Sequence, residues 1–313
     1  MYYYKICGLK IACDFLLEIA EPVRVHSSEK CDVMIHKGHI DDGIYNMEPP
    51  PRKYEGEFIY LVRHEQGISW VNVIDHGCFI VQNGNEIIYR LKDGHNPVVI
   101  EEIIYCACIG SIIMVQRGQL MMHGGGVCIN DKALIITGSS GAGKSTFTDE
   151  LLRGGASFMA DDFVALSTED NIIWAHTAYP QRKLLADAVE RFGYDKSRLI
   201  LLPSEIGVDN EEKYALRLTE GFCKEKKLLG ALVVLNVHAC AETGSIEEIT
   251  GSEKLKYVVD NLYGHSIYKR VGLQRGQFLA CADIANKIPV FRLIRPQSGF
   301  SPAQMAELLY AHL

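Results

Sequence analysis

Ala133 to Asp162 reads ALIITGSSGAGKSTFTDELLRGGASFMADD, and the fold turns on its middle. Gly138-Ser139-Ser140-Gly141-Ala142-Gly143-Lys144-Ser145 fits G-x-x-x-x-G-K-[ST], a pattern that is informative only when a strand precedes it and a helix follows. Both flanks suit. Ala133 to Thr137 is a short, Ile-rich apolar run of the kind that forms a buried strand. Thr146 to Arg153 places Phe147, Leu151 and Leu152 on one helical face and stops at Gly154-Gly155. Glycines let consecutive N–H groups turn inward around phosphate oxygens, and the start of the helix adds partial positive charge. The candidate cradle therefore comprises Gly138, Ser139, Ser140, Gly141, Ala142, Gly143, Lys144, Ser145 and Thr146. Lys144 can reach the β and γ phosphates of a nucleotide such as ATP, and the Ser145 hydroxyl can ligate Mg2+. A glycine-rich turn that binds nothing is the plain alternative.

Working outward, the chain has 313 residues, enough for two domains or one elaborated domain, and 48% of them are hydrophobic, which supports a sizeable core. A net charge of −7 argues against a nucleic-acid surface, because phosphate backbones are gripped by clustered Lys and Arg. The N-terminus, MYYYKICGLKIACDF, lacks a charged segment followed by an apolar one, so no signal peptide is read. Ile103 to Val115 is the longest apolar stretch and is read as too short to span a bilayer. A soluble, cytoplasmic protein without membrane attachment is the expectation, with the oligomeric state, homo-oligomer included, left open. The ten cysteines form no CxxC, and Cys106 with Cys108 falls in an apolar stretch, so reduced, buried thiols are expected.

Residues 1–95 differ from the rest. Ile59 to Val62, Ile68 to Val73, Cys78 to Val81 and Glu86 to Leu91 alternate between turn signals and predict an antiparallel meander in a β-rich N-terminal module, with Pro49-Pro50-Pro51 as an extended loop. Arg63, Arg90 and Tyr60 either meet a partner there or line a solvated sheet face. Residues 96–117 predict a buried connecting helix over Ile100 to Val115, and 118–313 a catalytic module. Within it, Leu120 to Asn130 predicts a strand beside the loop strand, with His123 near its start. Ser157 to Ala160 predicts a short strand that delivers Asp161 and Asp162 to its C-terminal end, where ligands sit in open α/β sheets. Phe163 to Ser167 and Ile172 to His176 read as a hairpin and Lys183 to Phe192 as a helix. Leu228 to Val237 reads as a core strand, followed by an acidic loop to Glu248. Ser252 to Tyr263 reads as a Ser-capped helix, Val290 to Ile294 as a late strand and Pro302 to Leu313 as the closing helix.

The loop alone does not name a reaction. No LSGGQ-type signature, no strand ending in Asp-Glu, no NKxD and no ordered HRD and DFG are present, which sets aside several families that share such loops. Asp161-Asp162 is the notable companion. Two carboxylates beside a Mg·ATP site can divide the work, one organising metal and water while the other takes a proton from a hydroxyl, although an Asp pair can also simply cap a turn. Arg182 and Lys183 can bind phosphate or an acidic acceptor, or start a solvated helix. Arg217 can neutralise a phosphoryl group in transfer, and Lys224 to Lys227 reads as a solvated turn.

His123, GSSGAGKS and Met159-Ala160-Asp161-Asp162 together resemble, in order and spacing, the H…GxSGxGKS…VADD arrangement of the HPr kinase/phosphorylase family. That group of P-loop kinases is related in fold to ATP-dependent phosphoenolpyruvate carboxykinase, and the resemblance covers about 118–166. It implies an α/β P-loop kinase core behind the β-rich module, with Lys144 on phosphate, Ser145 on Mg2+, His123 in the active site and an Asp of the pair, here Asp162, as base. The family's Glu after the loop is Thr146 in this chain, and its EIRG segment has no clear counterpart, which weakens any inference of phosphorylase activity. The His176 to Leu184 segment and the YYYKICGLKI opening look more like smaller relatives encoded with ribosomal-peptide genes, among them lasso-peptide kinases that phosphorylate a serine near a precursor's C-terminus. The resemblance therefore implies an ATP-dependent serine kinase acting on a peptide or protein acceptor. A small-molecule kinase, for instance of free serine, and a non-catalytic ATP-sensing regulator stay open beside it.

Overall fold

The computed structural model describes all residues except 27–29, 47–59, 140, 204–211, 219, 240, 264–273, 298 and 300. Pro49 to Pro51, Ile59, Ser140 and Cys240 thus lie outside the described residues. Contacts divide the chain into two units. The first comprises Met1–Gln119, Gln181–Arg217 and Gly264–Leu273, and the second Leu120–Pro180, Leu218–Tyr263 and Gln274–Leu313. Residues 181–217, expected with the catalytic module, group with the N-terminal residues.

The first unit opens with β1 (Tyr2–Ile6), β2 (Leu9–Cys13) and β3 (Val33–Lys37), followed by β4 (Tyr60–Glu65), β5 (Ile68–Val73), β6 (Gly77–Gln82) and β7 (Glu86–Leu91). They form one sheet in the order β1-β2-β3-β7-β6-β5-β4, so the meander expected from alternation is its second half. Helix α1 runs over Pro97–Gln116, capped where the Asn96 side chain accepts from the Val98 N–H, and its hydrogen bonding is of π type over Ile103–Ile113. The sequence reading undercounted this element. At 20 residues and a mean hydropathy of 2.2 it is long and apolar enough to cross a membrane, yet 89% of its most apolar window is buried. Its Cys108 is buried with Cys7, Cys13 and Cys78, and all nine described cysteines are free. Burial pushes the Cys7 thiol up to about 12, the direction expected of an inert thiol. Arg90 is used within this unit, donating to Asp42 at 2.6 Å and lying 3.8 Å over the Tyr45 ring.

The second unit begins with β8 (Leu120–His123), β9 (Gly125–Ile129) and β10 (Lys132–Gly138), then α2 (Lys144–Arg153), β11 (Ser157–Ala160), β12 (Phe163–Glu169) and β13 (Ile172–His176). The chain returns to the first unit for β14 (Gln181–Leu185), α3 (Ala186–Arg191), β15 (Ile200–Leu201) and β16 (Lys213–Arg217), which make a separate three-stranded sheet. It then completes the second unit with β17 (Lys227–His238), β18 (Ser245–Glu248), α4 (Gly251–Asp260), α5 (Arg275–Lys287), β19 (Val290–Pro296) and α6 (Pro302–Tyr310). This is a mixed α/β protein with several sheets.

Three parallel strands, β10, β17 and β19, form the middle of the second unit's sheet. Beyond β10 stands β9, antiparallel, and beyond β9 stands β11. The link β10-α2-β11 therefore skips one strand and leaves β11 parallel to β10. Tight hairpins fix two registers: Asn130-Asp131 joins β9 to β10 and Asp170-Asn171 joins β12 to β13, each pair with both φ values positive. Two-residue loops of this hand match the right-handed twist of the strands, and Asn and Asp tolerate the conformation best after Gly. Beneath the sheet, Phe147 and Leu151 of α2 pack with Leu134, Ile136, Val233, Leu235, Leu293 and Leu309, all buried. Phe147 and Leu151 are four apart and so stack on one helical face, as the sequence pattern required.

Four readings are corrected. Gln181–Leu185 is a strand, so only Ala186–Arg191 of the expected Lys183 helix forms. Leu120 to Asn130 is two strands rather than one. Ser245–Glu248, read as loop, pairs with β19, and α4 starts at Gly251 with no side-chain cap, so Ser252 is inside the helix rather than its cap. Helix α5 was not foreseen.

Candidate functional site

The strand break at Gly124 organises the site. Strands β8 and β9 are consecutive in sequence but stand at far ends of the strand order, and β11 and β12 are divided likewise at Asp161-Asp162. The two long segments run antiparallel, β9 against β11 and β8 against β12, and both break at the same level. There the Gly124 N–H donates to the Asp162 carbonyl at 3.0 Å. A Cβ on Gly124 would lie 2.3 Å from the Ile136 carbonyl oxygen of β10, at a φ of +150°. Only glycine lets the segment cross so close to the loop strand, and that crossing carries His123 and Asp162 to the loop's end of the sheet.

The glycine-rich segment leaves β10 at Gly138, where a Cβ would meet the Leu235 carbonyl oxygen at 2.5 Å. Gly141 and Gly143 have φ of +76° and +97°. Gly143 is the N-cap of α2 and provides no side-chain cap, so the first-turn N–H groups of the helix face the loop. Ser139 and Ser145 are exposed, Ala142 is buried, and Ser140 lies outside the described residues. The Lys144 ammonium folds back over the loop, donating to the carbonyls of Gly138 at 2.8 Å and Ser139 at 3.1 Å.

Charge is arranged around that ammonium. Burial lowers the Lys144 pKa and the Asp162 carboxylate opposes the shift. Burial also lowers that of His123, reinforced by Lys144 and opposed by Asp162. The Lys144 ammonium and the His123 ring thus each feel Asp162, which brings together three of the four residues singled out as catalytic. His123 is further held by its backbone N–H on the Asn261 carbonyl at 2.7 Å, and its ring stacks on Tyr263 with centroids 6.0 Å apart and planes at 13°. Asp161, half-buried, is the next residue on the same segment.

A cavity of about 340 Å³ opens beside Gly138 and Ser139, lined by Asn236 and Val237 at the end of β17 and by Tyr257, Asp260 and Asn261 at the end of α4. Its wall is tied to the loop strand, since the Thr137 hydroxyl donates to Asn261 Oδ1 at 2.6 Å and Asn261 Nδ2 donates to the Tyr257 carbonyl at 2.8 Å.

Arg182, Lys183 and Arg217 belong to the first unit. Arg182 and Lys183 are strand residues and not a solvated helix start. Arg182 is 2% exposed and donates to the Tyr194 hydroxyl at 3.1 Å, and Lys183 pairs with the buried Glu102 at 2.7 Å. Arg217 ends β16 and lies 3.5 Å from Glu18. In the second unit, Lys227 begins β17 and pairs with Asp131 at 2.5 Å, so the expected solvated turn ends earlier than read.

Sequence reasoning missed Arg295. The late strand was ended at Ile294, but it continues to Pro296, and Arg295 reaches the loop with Nε 3.1 Å from the Ala142 carbonyl. The available signal was its parallel neighbour. In open α/β sheets the ligand side lies at the carboxyl ends of the parallel strands, where an arginine following Ile294 falls.

No group of three or more His, Cys, Asp or Glu that could hold a metal is found among the described residues. A triphosphate with Mg2+ needs no such group, because Mg2+ is held by one or two protein oxygens together with phosphate oxygens and water. An uncapped helix start, glycines at positive φ, one ammonium, and the Ser145 hydroxyl and Asp161 carboxylate as hard oxygen donors fit that pair.

Fold and site together define the chain as a mixed α/β protein in which a parallel strand delivers a glycine-rich loop and an uncapped helix start beside a Lys, Asp and His cluster. No family model matches it, and no curated relative does. Among solved structures it is similar to the Hpr(Ser) kinase/phosphatase from Coxiella burnetii, at 13% identity and a TM-score of 0.32, over 61% of this chain and 95% of that one. At that TM-score the likeness assigns neither a role to any residue nor a reaction to the chain.

Proposed function

We propose that the chain is an ATP-dependent kinase that transfers the γ-phosphoryl group to a serine hydroxyl. The observation that carries the reading is the cluster of Lys144, Asp162 and His123 at the mouth of a glycine-rich loop whose helix start has no side-chain cap. In this reading loop amides and Lys144 bind the phosphates and neutralise charge as it builds on the oxygens in flight. Ser145 and Asp161 are the donors that would hold Mg2+, which adds positive charge at the phosphates. The Asp162 carboxylate accepts the proton of the acceptor hydroxyl as its oxygen bonds to phosphorus, and the bond from phosphorus to the bridging oxygen breaks to release ADP. Neutral His123, its charging disfavoured by burial and by Lys144, is oriented as a hydrogen-bonding partner near the transferring group.

The cavity beside Ser139 is where the acceptor side chain enters in this reading, because it adjoins the loop end opposite α2 and offers Asn236 and Tyr257 as polar contacts. The acceptor is a peptide or protein, in keeping with the narrower sequence resemblance a precursor peptide with a serine near its C-terminus. Labelled ATP supplied with a serine-containing peptide, with free serine and with no acceptor tests the assignment. Peptide-dependent label supports it, serine-dependent label selects the small-molecule kinase, and ATP binding with no transfer in any arm selects the regulator.

A further inference from the structure

We infer that Arg295 is a positioning residue that holds the glycine-rich loop in its phosphate-receiving shape by binding the carbonyls on the loop's outer side. The inference rests on the reading of this loop as a triphosphate cradle. A peptide plane carries its N–H and C=O in opposite directions, so a loop that gathers N–H groups inward presents carbonyls outward. Those carbonyls need partners, and a loop with glycines at φ of +76° and +97° has many other conformations open to it when they lack them.

Arg295 supplies the partners. Its Nε donates to the Ala142 carbonyl at 3.1 Å and its Nη2 lies 3.5 Å from the Gly141 carbonyl, while Nη1 donates to the Pro296 carbonyl at 3.1 Å. One rigid fork thus links the loop to the end of β19 across 153 positions of sequence. Strand β19 is parallel to β17, and β17 to β10, so the loop is anchored both at its own strand and two strands away. A Cβ on Gly143 would sit 3.6 Å from Arg295 Nε, which places the guanidinium against the α2 cap as well. The carbonyls of Gly138 and Ser139, nearer the strand, are served by Lys144. When a triphosphate draws the ammonium away, Arg295 remains as the fixed tether.

The test compares the full-length chain with Arg295→Gln and Arg295→Lys by calorimetric titration with ATP and, separately, with inorganic tripolyphosphate, alongside hydrogen exchange of the loop amides. The expected result is a loss of about tenfold or more in affinity for both ligands in Arg295→Gln, or about 1.4 kcal/mol. Faster exchange confined to 141–145 accompanies it, and Arg295→Lys recovers part of both effects. A merely structural role would lower the unfolding temperature and leave the affinity of the folded protein and the local exchange unchanged. Wild-type binding with equal affinity in Arg295→Gln overturns the inference while leaving the cradle intact. If Arg295→Gln does not fold, Arg295→Lys decides in the same way, equal affinity and equal loop protection being the contrary result. Absence of binding by the wild-type chain to either ligand removes the cradle reading and the inference with it.

Discussion

Thr137 and Asn261, 124 positions apart, share a hydrogen bond of 2.6 Å from hydroxyl to amide oxygen. Thr137 is the buried residue before Gly138, and Asn261 also receives the His123 N–H, so one pair fixes the loop strand, the end of α4 and the His123 segment. Thr137→Val keeps shape and removes the donor. It is expected to cost about 1 to 3 kcal/mol, because the amide oxygen loses its partner in a part-buried place. Urea unfolding reads the loss, and an unchanged midpoint would contradict the linkage.

The crossing at Gly124 makes a harsher prediction. Gly124→Ala puts a methyl 2.3 Å from a backbone oxygen at a φ that side chains avoid, so about 3 kcal/mol of destabilisation is expected. Stability close to wild type would mean that the strand break is not held as described.

The pH response follows from His123. Burial first, then Lys144, hold its pKa below the ordinary 6.5 against the pull of Asp162. A depressed native value means that the unfolded chain binds more protons in the window below 6.5. The associated stability is therefore present above 6.5 and is lost as pH falls through the native value. His123→Gln is expected to gain on the wild type as pH falls, by about 1.4 kcal/mol for each unit of depression. Denaturation midpoints of both proteins above and below 6.5 give the comparison, and parallel curves would refute it.

In the first unit, Lys183 and Glu102 form an ion pair with side-chain exposures of only 14% and 6%. Lys183→Met leaves a buried carboxylate uncompensated and is expected to cost about 3 kcal/mol or more. Adding Glu102→Leu should restore most of it, since losing both charges is cheaper than losing one. A double variant as unstable as the single would refute this account.

Much of this was legible in the sequence where a local rule sufficed. The G-x-x-x-x-G-K-S spacing, the apolar runs of β10 and β17 and the Asp-Asn hairpin are decided by neighbours a few residues apart. What escaped was set by distant partners. Lys183 to Leu185 reads as the start of a helix by itself and becomes part of a strand because β16 pairs with it. Ser245–Glu248 is acidic and reads as loop, but β19 offers it an edge with Arg292, which meets Glu247 at 2.6 Å. Arg295 lies 153 positions from Ala142, and only the parallel order of β10, β17 and β19 makes the two neighbours. The role of Asp162 rested on a motif, whereas its electrostatic reach to both Lys144 and His123 required the double strand break.

The central claim is that Asp162 takes the acceptor's proton at a site where the loop and Lys144 bind the nucleotide. Asp162→Asn retains shape and removes the base. Nucleotide affinity and phosphoryl transfer, measured on that variant with an acceptor that the wild-type chain phosphorylates, test the claim most directly. The account predicts ATP affinity within a few-fold of wild type and transfer reduced by about 100-fold or more. Transfer at the wild-type rate with undiminished ATP binding would contradict it.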